Sequence, residues 1–277
     1  MEEKRQTNGV ILRVENLKKY FPVERGVFRR VVDYVRAVDD ISFQIRKGEI
    51  FALVGESGCG KTTTAKLIMR LLEPTEGKIF FYGKDISLLG RRELARKIQI
   101  IFQDPFASLN PRLTIGTIVG EAIKYRLGAV GERLRSKEIR EKTKELLNRV
   151  GLPVNILNEY SHQFSGGQRQ RIGIARALAM QPELIVADEP VSSLDISVQA
   201  QILNLLLDLR DSLGLSYLLI AHDLNIVRFL SDRVAVMYQG KIVETDSVKN
   251  VYDMPQHPYT KRLLEAIPAL EPGLLIE

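Results

Sequence analysis

The chain has 277 residues, of which 45% are apolar and 27% charged, and this composition excludes intrinsic disorder over most of its length. Its single cysteine, Cys59, rules out an intramolecular disulfide, and three scattered histidines leave too few nitrogen and sulfur ligands for a structural zinc site. The formal net charge of +6 is compatible with nucleic acid, anionic lipid or a nucleotide as a binding partner.

The sequence predicts neither export nor membrane insertion. The first residues are charged and lack the apolar core of about 7–15 residues that a secretory signal requires. No stretch approaches the roughly 18 uncharged apolar residues that a membrane-spanning helix needs. We therefore expect a cytosolic chain.

The first third of the chain predicts an antiparallel β subdomain. Alternating or β-branched residues predict strands at 11–15, 41–45 and 78–82. An Arg- and Val-rich segment at 22–35 is interpreted as an insertion between the first two strands. Its basic residues are interpreted as a solvated face, because no aromatic nucleic-acid recognition module accompanies them.

The rest of the chain predicts an α/β core that a helical subdomain interrupts. A continuous apolar strand at 50–54, a glycine-rich turn and a helix at 62–72 form the opening of a parallel βαβ unit. Residues 105–164 show helical patterns, including a charge-rich helix at 132–150. The α/β pattern then resumes with a helix at 168–180, a strand at 184–187, a helix that ends at Gly214, a strand at 217–221 and a hairpin of 234–238 with 241–245.

The turn after the strand at 50–54 predicts a phosphate site. It fits the pattern G-x-x-x-x-G-K-[ST] with the residues Gly55-Glu56-Ser57-Gly58-Cys59-Gly60-Lys61-Thr62. Backbone N–H groups of such a loop converge on one anion, and the following helix adds about half a positive charge. Lys61 supplies a full charge for the β- and γ-phosphates, and the Thr62 hydroxyl is a ligand for Mg²⁺. Cys59 stands where a G-x-S-x-G nucleophile turn requires glycine, so it is interpreted as a small loop residue.

Polar side chains follow two later apolar strands. Asp188 and Glu189 follow the strand at 184–187, and His222 follows the strand at 217–221. The carboxyl ends of parallel strands are where α/β sheets bind ligands. We expect Asp188 to hold Mg²⁺ and Glu189 to act on an attacking water as general base. His222 either contacts the γ-phosphate or orients water, or it is purely structural.

A serine and two glycines, at residues 165–167, open a further helix and form either an anion-binding element or a helix cap. Together with the glycine-rich loop and Asp188-Glu189, this segment resembles the signature motif of ABC-type ATPases, with Phe164 where the family usually has leucine. The remaining family motifs follow in order, with the Q-loop at Gln103, the D-loop at 193–195 and the switch histidine at His222. The resemblance covers about residues 10–246 and implies an α/β fold of the P-loop NTPase type.

The resemblance implies that two such domains face each other head to tail, with each ATP between one P-loop and the partner's signature. It implies catalysis by Glu189 and His222, and Mg²⁺ ligation by Thr62, Gln103 and Asp188. The residues implied to contact ATP are Gly55, Glu56, Ser57, Gly58, Cys59, Gly60, Lys61, Thr62, Thr63, Gln103, Ser165, Gly166, Gly167, Gln168 and Asp195.

The family also stacks an aromatic side chain on adenine just after the first strand. Tyr20 and Phe21 both compete for this role, and the register slightly favours Phe21. The other ring is then interpreted as a core aromatic.

A closer resemblance is to the ATPase subunits of oligopeptide and dipeptide importers. The segments that carry it are 17–23, the Arg- and Val-rich insert before 35–38, 104–112 and the His-Pro-Tyr-Thr run at 257–260. They predict an ATPase domain at 10–246, with a helical subdomain at about 105–165, and an importer-type extension at 247–277. Such subunits often continue into a cysteine-bearing tail, whereas no cysteine follows Cys59 here, so we expect no iron–sulfur role.

The resemblance implies an ATP-hydrolysing subunit of a peptide importer at the cytoplasmic face of the membrane. Its implied partners are a second ABC ATPase (a similar but distinct chain, or a second copy), two membrane-spanning permease subunits and an extracytoplasmic substrate-binding protein. Similar ATPases serve nickel, glutathione or sugar-oligomer uptake, so these cargoes stay open. The rival function is a soluble ABC-type ATPase acting on nucleic acid or ribosomes. We expect no nucleic-acid partner, because zinc ligands, a heptad arm and a second cassette are missing.

Overall fold

The computed structural model of the chain describes residues 9–25 and 30–266. Its strands are β1 (Val10–Arg25), β2 (Arg30–Arg46), β3 (Ile50–Val54), β4 (Glu76–Phe81), β5 (Lys84–Asp85), β6 (Ile98–Ile101), β7 (Leu184–Asp188), β8 (Ser216–Ala221), β9 (Arg233–Tyr238) and β10 (Lys241–Ser247). Its α-helices are α1 (Lys61–Ile68), α2 (Arg91–Lys97), α3 (Pro105–Ser108), α4 (Ile115–Ala129), α5 (Ser136–Arg149), α6 (Gly166–Ala179), α7 (Ile196–Leu213), α8 (Leu224–Leu230), α9 (Val248–Asp253) and α10 (Pro258–Glu265). None of these described helices has the length and apolar character needed to cross a membrane.

The described residues divide into two compact units. The first contains the residues up to Leu89 together with those from Ser216 onward, and the second contains Gly90–Leu215. The predicted α/β class with an antiparallel N-terminal sheet and a helical insert is confirmed. The predicted domain boundaries at 10–246 and 247–277 stay a prediction.

The first unit carries an antiparallel sheet in the order β2-β1-β4-β5. The first two strands are longer than predicted, because the described part of residues 22–35 continues the pairing of β1 with β2, while the interpretation of this segment as an insertion stays a prediction. Pro22 faces Tyr34 and Val23 faces Asp33 across the hairpin. The segment's β-branched residues favour extended backbone, so the two strands run on instead of ending in a loop.

The first unit also carries β3, which pairs in parallel with β8 on one side and with β9 on the other. Strand β10 pairs antiparallel to β9. Every residue of β3 is buried, as a continuous apolar run predicts for a strand covered on both faces. The predicted hairpin of β9 and β10 is confirmed, with Gln239 and Gly240 at φ 46° and 82° in its turn. Val54 and Ala221 are register partners, so the segments after β3 and β8 begin at the same sheet edge.

Two predicted helices have wrong ends. The helix predicted at 62–72 ends at Ile68, because Arg70 adopts a left-handed φ of 51° that closes the last turn. The helix predicted at 132–150 begins only at Ser136, because the Glu138 carboxylate accepts the Arg135 N–H and fixes the first turn there. Both predicted ranges were too long because the residues that flank each helix have the same helix-favouring composition as the helix itself.

The second unit places two parallel strands among helices. Ile101 of β6 and Ala187 of β7 are register partners, which brings the segments after them to one sheet edge. Helix α4 buries one face formed by Ile115, Ile118, Val119, Ile123 and Leu127, a spacing of three to four residues that is typical of an amphipathic helix. Helix α7 ends at Leu213, and Gly214 follows in the left-handed region at φ 66°, as predicted.

The last described elements of the first unit are tied to β10. The Glu244 carboxylate accepts hydrogen bonds from the N–H groups of Gln256 and His257, at 2.9 and 3.0 Å. The next residues form α10, whose first turn is capped by His257 Nδ1, the acceptor for the Tyr259 N–H at 3.1 Å. Burial opposes ionisation of Glu244, but the hydrogen bonds to its carboxylate outweigh burial and lower its pKa below 4.5.

We expect Glu244→Gln to lower the thermal midpoint at pH 7 by about 2–4 °C, because a partly exposed charge-assisted contact contributes about 1 kcal/mol. The pKa of Glu244 is lower in the folded than in the unfolded chain, so its contribution is complete above about pH 4.5 and is lost as the pH falls through the folded value. Calorimetry from pH 7 downward should show the midpoints of variant and wild type converging at acid pH. A difference that stays constant with pH would contradict this origin.

Candidate functional site

The glycine-rich loop between β3 and α1 has a backbone that only glycine accommodates at two positions. Gly55 has φ 150° and Gly60 has φ 114°. A Cβ atom on Gly55 would lie 2.1 Å from the Met237 carbonyl oxygen, and one on Gly60 would lie 2.1 Å from the Ala37 carbonyl oxygen. The loop is therefore held against neighbouring backbone, in a conformation that places it just before the N-terminus of a helix.

Lys61 is fixed inside this loop. Its Nζ donates to the carbonyl oxygens of Gly55, at 2.6 Å, and Glu56, at 2.9 Å, and the residue is only 5% exposed. Ser57 and Thr62 are exposed at the surface of the loop and the first turn of α1. The arrangement combines a buried, backbone-held ammonium with a helix N-terminus, which is the electrostatic requirement for binding a phosphate chain.

Cys59 is a buried member of the same loop. Burial raises the pKa of its thiol, and the nearby Lys61 ammonium offsets this only in part. The thiol is therefore protonated at neutral pH, which is the opposite of what a nucleophilic cysteine needs. This supports its interpretation as a small loop residue.

His222 lies at the same sheet edge as the glycine-rich loop. It directly follows Ala221, whose register partner Val54 directly precedes Gly55. The side chain of His222 is exposed. The first unit thus brings together the loop and the predicted histidine, while the role of the histidine stays a prediction.

The second unit brings Gln103 and Glu189 into contact. Gln103 Nε2 donates to Glu189 Oε2 at 2.9 Å, and the two residues lie just beyond the paired strands β6 and β7. Glu189 has a left-handed φ of 48°, an uncommon conformation for glutamate that directs the chain away from the strand. Asp188 is the last residue of β7 and is partly buried. The Gln103 carboxamide and the Glu189 carboxylate therefore meet at this edge, one residue beyond Asp188, whereas their predicted meeting with the glycine-rich loop stays a prediction.

The predicted signature residues form a capped helix start. Ser165 Oγ accepts the Gln168 N–H at 3.3 Å, and Gln168 Oε1 accepts the Ser165 N–H at 3.0 Å. The interpretation as a helix cap is thus confirmed, and the anion-binding role stays a prediction. A Cβ atom on Gly167 would lie 2.3 Å from Val198 Cγ1, so glycine permits α6 and α7 to pack closely here. Asp195 is the exposed N-cap residue of α7.

Neither candidate for the adenine-stacking aromatic is singled out. Tyr20 Oη donates to Asp39 Oδ1 at 2.5 Å, and the Arg36 guanidinium lies 5.6 Å from the centre of its ring. The Lys19 ammonium lies 5.2 Å from the centre of the Phe21 ring. Both rings are partly exposed on β1. The choice between them stays open.

Two residues that contact the glycine-rich loop were not predicted from the sequence to be part of the site. Tyr259 of α10 accepts the Glu56 N–H at its hydroxyl oxygen, at 3.0 Å. Gly240, in the turn between β9 and β10, donates its N–H to the Cys59 carbonyl oxygen at 3.0 Å. The only sequence signal for the first was the His-Pro-Tyr-Thr run, which indicated a family but not a contact.

Comparison with known proteins indicates the same class of nucleotide-binding protein as the geometry of the glycine-rich loop. Residues 38–192 match the ABC transporter family. The solved dimeric structure of a post-hydrolysis state of the ATP-binding cassette MJ0796, bound to ADP and Pi, superposes with a TM-score of 0.73 at 28% identity, covering 86% of this chain and 99% of that one. The chain therefore belongs to the ABC transporter family and is an ATP-binding, ATP-hydrolysing protein.

Within that family, the chain is similar to ATP-binding proteins of peptide transporters. It is 51% identical to the oligopeptide transport ATP-binding protein AppF of Bacillus subtilis over 93% of this chain and 78% of the relative. It is 47% identical to the dipeptide transport ATP-binding protein DppF of Haemophilus influenzae over 96% of this chain and 81% of the relative. The similarity extends well beyond the matched family segment toward both ends of the chain.

Proposed function

We propose that this chain is the ATP-hydrolysing subunit of an ABC importer for dipeptides or oligopeptides. The observation that carries the ATPase role is the glycine-rich loop, in which two positions exclude any Cβ atom and a buried lysine faces the loop carbonyls. The peptide cargo is supported by relatives named for oligopeptide and dipeptide transport at 51% and 47% identity. Because such a subunit does not touch the cargo, nickel, glutathione or sugar oligomers are the alternatives that a cargo assay must exclude.

The phosphate chain of ATP binds at the loop from Gly55 to Thr63. Backbone N–H groups around Gly58 and Gly60 face the phosphates, and Lys61 exchanges its two carbonyl acceptors for phosphate oxygens. The exchange replaces hydrogen bonds to neutral carbonyls with hydrogen bonds to a dianionic group, so the charge-assisted contacts favour the bound state. The adenine ring stacks on Tyr20 or Phe21.

Thr62, Gln103 and Asp188 would hold the Mg²⁺ that accompanies ATP. Their hydroxyl, amide and carboxylate oxygens are the hard donors that this ion prefers. When bound, the ion neutralises phosphate charge and polarises the transferred phosphoryl group. Gln103 also contacts Glu189, so it links the ion site to the catalytic carboxylate.

Glu189 is the general base of hydrolysis. Its carboxylate takes a proton from water as the water oxygen attacks the γ-phosphorus, and the bond from that phosphorus to the β,γ-bridging oxygen breaks to release ADP and phosphate. The Gln103 amide orients the carboxylate through the hydrogen bond at 2.9 Å. His222 contacts the γ-phosphate or the water. It directly follows β8, which pairs with β3, the strand that leads into the phosphate loop.

The second half of each ATP site comes from another ATPase subunit. The N-terminus of α6 presents an exposed serine, Ser165, beside Gly166 and Gly167, and a helix N-terminus favours an anionic ligand. These residues, with Gln168 and Asp195, contact the ATP held by the opposite P-loop. ATP binding then favours the closed dimer and hydrolysis favours its opening.

The complete importer contains a second ATPase subunit, two membrane-spanning permease subunits and an extracytoplasmic substrate-binding protein. The second ATPase is a similar distinct chain or a second copy of this one. The chain itself lies at the cytoplasmic face of the membrane, with an ATPase domain at 10–246 and an extension at 247–277.

The assembly is tested by tagging the chain in its native cell, solubilising the membranes gently and identifying what co-purifies. We expect two multi-span proteins and a second P-loop ATPase, absent from a parallel preparation of untagged cells. Recovery of soluble partners alone, or of nucleic acid, would overturn the transport role and leave the ATPase mechanism standing.

A further inference from the structure

Helix α10 reaches back to the phosphate loop across more than 200 positions of sequence. The Tyr259 hydroxyl oxygen accepts the Glu56 N–H at 3.0 Å, and Tyr259 is only 3% exposed. Burial raises the pKa of Tyr259, so its phenol is neutral at physiological pH. A residue of the C-terminal extension is therefore a direct partner of the loop backbone.

The position of the Tyr259 hydroxyl is fixed from three sides. Glu244 binds the two backbone N–H groups just before α10, and His257 Nδ1 accepts the N–H of Tyr259 itself. The ring of Tyr238, at the end of β9, lies 4.2 Å from the Tyr259 ring, centre to centre. With its backbone and its ring both held, the hydroxyl has little freedom other than to face the loop.

The contact falls at the second residue of the loop, directly after Gly55. The peptide groups of Glu56 are bound on both sides, with the N–H held by Tyr259 and the carbonyl held by Lys61 Nζ at 2.9 Å. Gly55, one residue earlier, has the φ of 150° that starts the turn. Further along, the Cys59 carbonyl is held by the Gly240 N–H. The loop is thus braced at its start by α10 and near its end by the β9–β10 turn.

We propose that Tyr259 is a positioning residue of the phosphate loop, through which the C-terminal extension sets the affinity for ATP. The inference rests on the proposed phosphate site at Gly55–Thr63. A loop whose backbone is already held by these hydrogen bonds does not need to be ordered when the nucleotide binds, and this preorganisation raises the affinity for ATP. The extension then has a role inside the ATPase site that is separate from any contact with a partner.

The test is Tyr259→Phe, which removes the hydroxyl and keeps the ring packed against Tyr238. Titration of the purified full chain with a fluorescent ATP analogue should show a dissociation constant raised about threefold to tenfold, the usual effect of losing one hydrogen bond. The matched control is Tyr238→Phe, which removes the hydroxyl of the neighbouring ring, whose partner is the Gln239 side chain and not the loop. The control should bind the analogue like the wild type.

Two further readings make the result decisive. Backbone hydrogen exchange in the phosphate loop should be faster in Tyr259→Phe than in Tyr238→Phe, both measured well below their thermal midpoints, which a general loss of stability would not produce. Lys61→Ala serves as the reference for the site itself. If Lys61→Ala loses the nucleotide but Tyr259→Phe binds it normally, the positioning role is overturned and the site stands. If both variants bind it normally, the phosphate site itself is wrong.

Discussion

Replacing Glu189 with glutamine is expected to lower ATP turnover by roughly 10²-fold or more, with ATP binding preserved. The amide of glutamine cannot take the proton from the attacking water, whereas its size and hydrogen-bonding capacity keep the contact with Gln103 possible. The loss therefore falls on the chemical step and not on affinity. Phosphate release under saturating ATP, alongside a nucleotide titration of the same preparation, separates the two.

The control for this variant is Glu183→Gln, the same chemical change just before the first residue of β7. Glu183 pairs with Lys97 at 3.0 Å, on the opposite end of the strand from Glu189. Because a partly exposed ion pair contributes at most about 1 kcal/mol to stability, turnover should stay within about twofold of wild type. Near-normal turnover in Glu189→Gln would remove Glu189 from the role of general base.

Replacing Lys61 with alanine is expected to weaken nucleotide binding by roughly 10²-fold, because charge-assisted hydrogen bonds to phosphate contribute about 1.5–3 kcal/mol. The loss is in affinity because the ammonium, held within the loop at 5% exposure, provides the positive charge there. A titration with a fluorescent nucleotide measures it directly. The comparison is Lys66→Ala, which removes an exposed lysine from the same helix. Wild-type affinity in Lys61→Ala would contradict the assignment of the phosphate site.

The glycine-rich loop between a strand and a helix could be predicted because its sequence pattern is local. Glycines at fixed spacing, a lysine and a hydroxyl residue stand between an apolar strand and a helix, and the structure has strand, loop and helix in that order. The edge positions of Asp188 and His222 could be predicted for the same reason, since each directly ends or follows an apolar strand. The two helix ends that were wrong depended on caps at Arg70 and Glu138, which composition does not reveal.

The hydrogen bonds that position the side chains and the loop of the candidate site could not be predicted in this way. The hydrogen bond between Gln103 and Glu189 joins residues 86 positions apart, and the one between Glu56 and Tyr259 joins residues 203 positions apart. Each depends on strand register or on the path of a later helix, which periodicity alone does not specify. The contact of Tyr259 is the clearest example, because an aromatic residue in a short helix near the end of the chain usually serves only to pack that helix against the core.

Whether ATP hydrolysis by this chain powers peptide import is measured by peptide uptake in cells in which the native copy of the chain is replaced. A radiolabelled oligopeptide is supplied to cells that express either the wild-type chain or Glu189→Gln at equal levels, with Glu183→Gln as the control. We expect uptake with the wild type and the control, and only background uptake with Glu189→Gln. Equal uptake in all three strains would contradict the claim that ATP hydrolysis by this chain powers peptide import.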